Sequence, residues 1–88
     1  MPDANDKIVP NLKWMAEFST FDEAEQKLLI ALSHQKYKWR TKDRLSAATG
    51  LTADTLGKTL EDLMRRNVVR TSISRNKNII FGLRERVG

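Results

Sequence analysis

At Asn67 the spacing of apolar residues changes, and that change most limits what the chain can become. Before it, Leu56, Leu60, Leu63 and Met64 recur at i, i+4, i+7 and i+8, the period of an amphipathic helix. After it, Val69, Thr71 and Ile73 alternate with Arg70, Ser72 and Ser74, the period of a strand. Arg75-Asn76-Lys77-Asn78 then leads into Ile79-Ile80-Phe81-Gly82-Leu83, so the two β-rich runs read as a hairpin. Asn67 suits the left-handed conformation that closes a helix, and Gly82 marks a bulge or a close approach.

Upstream, capping residues divide the helical part. Asp22 with Glu25 three residues later forms a capping-box pattern, and Ala24, Leu28, Leu29, Ala31 and Leu32 follow at helical spacing to about His34 or Gln35. Tyr37-Lys38-Trp39-Arg40 suits a brief strand, with Trp39 packed against the sheet. Thr41 caps a helix over 42–49 that stops at Gly50, and Thr52 caps another from Ala53 to about Arg66. Leu45, Ala48, Leu51, Leu56 and Leu60 are expected to share one small core, with Ala48 letting the two helices approach closely. Ahead of Asp22, Pro10 suits a first helical turn. Leu12, Met15 and Phe18 then suit a short amphipathic helix that ends at Ser19.

The expected fold is mainly α with a small antiparallel sheet (α+β). Its divisions are a disordered tail over 1–7, a short helical arm over 8–21, one domain over 22–84 and a charged tail over 85–88. A chain of 88 residues has room for one thin core and no deep substrate pocket. With no cysteine there is no disulfide, thiolate metal site or cysteine nucleophile. One histidine, His34, does not make a metal site, and no phosphate-binding loop or nucleophile elbow occurs. Catalysis, a cofactor, a metal and a small-molecule substrate are therefore not expected. Neither a membrane-spanning run nor a signal peptide is visible, so a cytoplasmic location is expected.

Charge adds direction. Sixteen Lys and Arg against eleven Asp and Glu leave a formal +5. Residues 1–25 hold two lysines against six acids, a net −4, so residues 26–88 carry +9. Such a body favours an anionic partner, nucleic acid first. Much of the excess lies in 63–88, where seven basic residues face only Glu85.

The segment Thr41-Lys-Asp-Arg-Leu-Ser-Ala-Ala-Thr-Gly-Leu51, the helix over 53–66 and the hairpin together resemble the winged helix-turn-helix superfamily, the MarR-like and related bacterial regulators in particular. The resemblance covers about residues 22–83 and implies a three-helix core, a C-terminal wing and double-stranded DNA binding. The role implied is transcriptional regulation or DNA targeting of a larger protein. It further implies a recognition helix presenting Ala53, Asp54, Thr55, Lys58 and Thr59 to bases, with Asp62 on the same face. Lys38, Arg40, Thr41, Lys42 and Arg44 become phosphate contacts, and Arg75, Asn76 and Lys77 the wing tip. A protein-bridging module without DNA binding is the alternative. Leu12, Trp14, Met15 and Phe18 either pack back on the core or pair two copies as a homodimer.

Overall fold

Three capping side chains start the three main helices. The computed structural model describes Val9 and residues 12–87. The expected tail over 1–7 and the expected first helical turn at Pro10 lie outside the described residues. Helix α1 spans Lys13–Ala16, and a short 3-10 turn follows at Phe18–Thr20. Helix α2 spans Glu23–Leu32. The Asp22 carboxylate accepts from the Glu25 amide at 2.8 Å, and the Glu25 carboxylate accepts from the Asp22 amide at 3.0 Å. Both halves of the capping box are thus formed. Thr41 accepts from the Arg44 amide at 3.3 Å and starts α3, Lys42–Thr49. Thr52 does the same for the Thr55 amide and starts α4, Ala53–Arg65.

The turn between α3 and α4 satisfies its own polar groups. Gly50 takes φ 74°, a left-handed conformation natural to glycine. The Ser46 hydroxyl donates to the Leu51 carbonyl at 2.9 Å, and the Leu51 amide donates to the Thr49 hydroxyl at 3.2 Å. Helix α4 ends at Asn67, φ 65°. The Asn67 amide donates to the Met64 carbonyl at 3.0 Å and the Val68 amide to the Leu63 carbonyl at 2.9 Å, the paired bonds of a Schellman motif. That closure turns the chain directly into the hairpin.

Strands β2 (Val69–Ile73) and β3 (Ile79–Leu83) pair antiparallel in register, Val69 opposite Leu83 and Ile73 opposite Ile79. A third strand, β1 (Arg40–Thr41), joins the other edge of β3, giving the order β1-β3-β2. The sheet closes over α2, α3 and α4. Leu28, Leu29, Leu32, Leu45, Leu56, Leu60, Leu63 and Leu83 are fully buried between these layers. The chain is α+β.

Several expectations are corrected. The strand expected over 37–40 begins only at Arg40. The preceding segment is held as a turn, because the Arg86 guanidinium takes the carbonyls of Leu32, His34 and Tyr37 at 2.9, 2.9 and 3.4 Å. Ala48 is exposed; α3 reaches the core through Leu45, and Leu51 of the turn packs against that core as expected. Trp39 is half-buried and lies over Gly82. A Cβ at Gly82 would stand 2.7 Å from the Lys38 carbonyl oxygen and 3.1 Å from the Trp39 ring, so this glycine marks a close approach.

Both ends of the domain also differ from expectation. Residues 84–87, expected as domain end and tail, form helix α5, Arg84–Val87. The Glu85 carboxylate accepts from the backbone amides of Lys13 and Trp14 and so caps α1 from the far end of the chain. In the arm, Trp14 is the buried residue, and its indole N–H donates to the Ser33 hydroxyl at 2.9 Å. Leu12 and Met15 pack partly on the core, whereas Phe18 is largely exposed. Three of the four residues considered for a homodimer contact are thus used inside the chain. Among the described residues, no helix is long and apolar enough to cross a membrane.

Candidate nucleic-acid interface

The tip of the β2–β3 hairpin is built by a tight loop. The Ser74 amide donates to the Asn78 carbonyl and the Lys77 amide to the Ser74 carbonyl, each at 2.9 Å. The Asn78 amide adds a bond to the Ser74 hydroxyl at 3.2 Å. This leaves Arg75, Asn76 and Lys77 as a three-residue exposed loop, with Lys77 at φ 63°. Such loops place a left-handed residue last, usually glycine. A lysine there carries local strain in exchange for a charge at the tip.

The five residues expected at phosphates divide. Lys42 and Arg44 are exposed at the start of α3, and Lys38 is exposed before β1. Thr41 is spent as the α3 cap, its side chain half-buried. Arg40 is also committed within the fold. Its guanidinium donates to the Ala31 carbonyl at 3.2 Å, at the end of α2, and lies 5.2 Å from the centre of the Tyr37 ring.

The fold brings the α3 start and the hairpin tip together. Thr41, Lys42 and Asp43 line one open hollow with Lys77, Asn78 and Ile79. Lys42 also reaches across to α4: its Nζ lies 3.2 Å from where a Cβ on Gly57 would stand. Sequence reasoning passed over Gly57. The available signal was a glycine inside a helix, which is costly unless something approaches it.

The residues expected on α4 do not all share that hollow. Ala53, Asp54, Thr55 and Lys58 are exposed. Thr55 and Lys58 line a different groove, shared with Asp22, Glu23 and Lys27 of the α2 start. Thr59 is corrected: it is only 7% exposed, and its hydroxyl donates to the Thr55 carbonyl at 2.7 Å. It sits beside Leu56 and Leu63 on the helical wheel, and that internal bond lets a threonine join the buried face. Farther along, Arg65 pairs with Glu61 at 3.1 Å and Asp62 at 3.6 Å on its own helix. The exposed surface of α4 is therefore mixed in charge, with Asp54, Glu61 and Asp62 around Lys58.

One further feature escaped the sequence reading. Ile73 and Ile79, directly opposite each other in the hairpin, are 70% and 59% exposed. The period-two pattern groups Ile73 with Val69 and Thr71 but carries no sign that this end of the hairpin overhangs the core. No protein-family model, no curated protein and no solved structure matches this chain.

Proposed function

We propose that this chain is a winged helix-turn-helix domain that binds double-stranded DNA. Its role is that of a cytoplasmic transcriptional regulator or the DNA-targeting part of a larger protein. The observation that carries this reading is the hollow shared by the α3 start and the wing tip, which puts Lys42 and Lys77 on one open surface. Arg75 stands in the adjoining loop, and Arg44, two residues after Lys42, is exposed beside a neighbouring hollow lined by Tyr37, Trp39 and Thr41. Cations grouped in this way match a sugar-phosphate backbone, and the first amides of α3 add a favourable dipole. Lys58, and Thr55, whose hydroxyl accepts from the Thr52 hydroxyl at 3.1 Å, are then the exposed α4 side chains that could meet phosphates.

Duplex titration followed by fluorescence anisotropy tests the reading. Affinity should fall steeply with salt, with a log–log slope of about −0.9 per phosphate contacted. Changing Lys42, Arg75 and Lys77 together to Ala should flatten that slope. Salt-independent binding, or an unchanged slope in the triple variant, rejects the proposal.

A second reading, a protein-bridging module, is favoured by one observation: the acidic residues on the outward side of α4 and the ion pairs that occupy Arg65. It predicts no measurable duplex affinity even at low salt.

A further inference from the structure

The exposed isoleucine pair raises a question of its own. An apolar cross-strand pair at the distal end of a hairpin is costly to leave in water, since each side chain could gain from burial. Ile73 and Ile79 lie on the same face of the hairpin as Val69, Phe81 and Leu83, but beyond the reach of the core. Their surroundings are basic. Arg75 and Lys77 lie in the loop beside them, and Lys42 lies across the hollow that Ile79 borders. Asp43 is the acidic residue lining that hollow. An apolar pair ringed by cations fits a partner with anionic flanks and an apolar floor.

We propose that the wing, rather than α4, enters the major groove, and that Ile73 and Ile79 cover thymine methyl groups there. The inference rests on the duplex-binding reading above. Groove dimensions select the site. A two-stranded ribbon fits the major groove, about 12 Å wide, and not the minor groove, about 6 Å wide. The thymine C5-methyl is the apolar group that base edges offer, and it lies in the major groove. Arg75 and Lys77 then reach phosphates beside the ribbon, and Lys42 holds the backbone that runs through the hollow. Helix α4 is the poorer candidate for that groove. Its outward carboxylates at Asp54, Glu61 and Asp62 would meet phosphates, and Arg65 is already paired.

The test uses the full chain and two duplexes: an alternating A·T duplex, and the same duplex with every thymine replaced by uracil. The replacement removes the methyl groups and leaves charge and minor groove unchanged. The native protein should bind the uracil duplex more weakly, by about fourfold for each methyl covered. The variant I73T/I79T keeps β-branched residues in the strands and all charges. Its preference for the thymine duplex should shrink well below the native one, since the threonine methyl covers less of a thymine methyl than isoleucine does, with an unchanged salt slope. Equal native affinity for the two duplexes, with salt dependence intact, overturns the inference and leaves duplex binding standing. Displacement by a minor-groove ligand overturns it as well. Absence of any duplex binding takes down both readings. If instead the native chain sediments as a dimer that I73T/I79T dissociates, with no preference for thymine, the pair serves a second copy and the inference is lost.

Discussion

Arg66 donates to the Glu25 carboxylate at 3.1 Å, tying the end of α4 to the start of α2. The same guanidinium lies 4.5 Å from the centre of the buried Phe21 ring. Glu25 serves twice, because its other oxygen accepts from the Asp22 amide. Removing it therefore costs a cap and an ion pair together. E25A should lower unfolding free energy by about 2–3 kcal/mol. R66A, whose side chain is 43% exposed, should cost about 1–2 kcal/mol. E25Q keeps an acceptor for the Asp22 amide and should fall between the native chain and E25A. Urea denaturation measures all three: E25A no worse than E25Q would show that the cap contributes nothing, and E25Q as stable as the native chain would show the same of the ion pair.

The Trp14–Ser33 bond anchors the arm to the core. Ser33 is fully buried and its own hydroxyl donates a hydrogen bond to the Leu29 carbonyl at 2.7 Å. S33A leaves the indole N–H buried without its acceptor and should cost about 1–3 kcal/mol. W14A empties a large buried volume and should cost about 3–5 kcal/mol. If W14A left the denaturation midpoint unchanged, the arm would not be part of the cooperative domain.

Two glycines should respond in opposite directions. G82A drives a Cβ to 2.7 Å from a backbone oxygen, with the Trp39 ring behind it, and neither can yield cheaply. A loss of about 2–3 kcal/mol is expected. G57A meets only the flexible end of Lys42 at 3.2 Å. There the helix propensity of alanine should dominate, raising stability by about 1 kcal/mol. Thermal unfolding of the two variants gives the comparison, and matching shifts would show that the close approach at Gly82 is relieved at little cost.

Local chemistry explains which parts of this fold were legible before the structure. Asp22, Thr41, Thr52, Gly50 and Asn67 each act on backbone groups within a few residues, so spacing alone locates the helix ends. Glu85 capping α1 and Arg86 holding the carbonyls of Leu32, His34 and Tyr37 act between segments far apart in the chain. No periodicity carries that information, and the charged tail concealed two fold-building side chains. Within the candidate site the same division holds. The wing tip followed from the hairpin pattern, but the diversion of Arg40 to the Ala31 carbonyl did not, because it depends on where α2 ends in space. Thr59 was misplaced for a smaller reason: a polar residue on the edge of an apolar stripe was read as outward-facing, although its hydroxyl could be satisfied by its own helix.

Lys77 links stability to binding at one position. Its φ of 63° is a conformation that glycine adopts without penalty and a side chain does not. K77G should therefore stabilise the hairpin, by about 0.5–1 kcal/mol after the extra freedom of glycine in the unfolded chain is counted. The same change removes a cation from the hollow shared with α3. If that cation neutralises a phosphate, duplex affinity should fall and the salt slope should lose about 0.9. K77A separates the two effects, since it removes the charge while keeping the strained backbone. It should lose affinity as K77G does and gain no stability. A glycine variant that is both more stable and unchanged in duplex affinity would mean that the wing tip does not contact the backbone, and the proposed interface would have to exclude it.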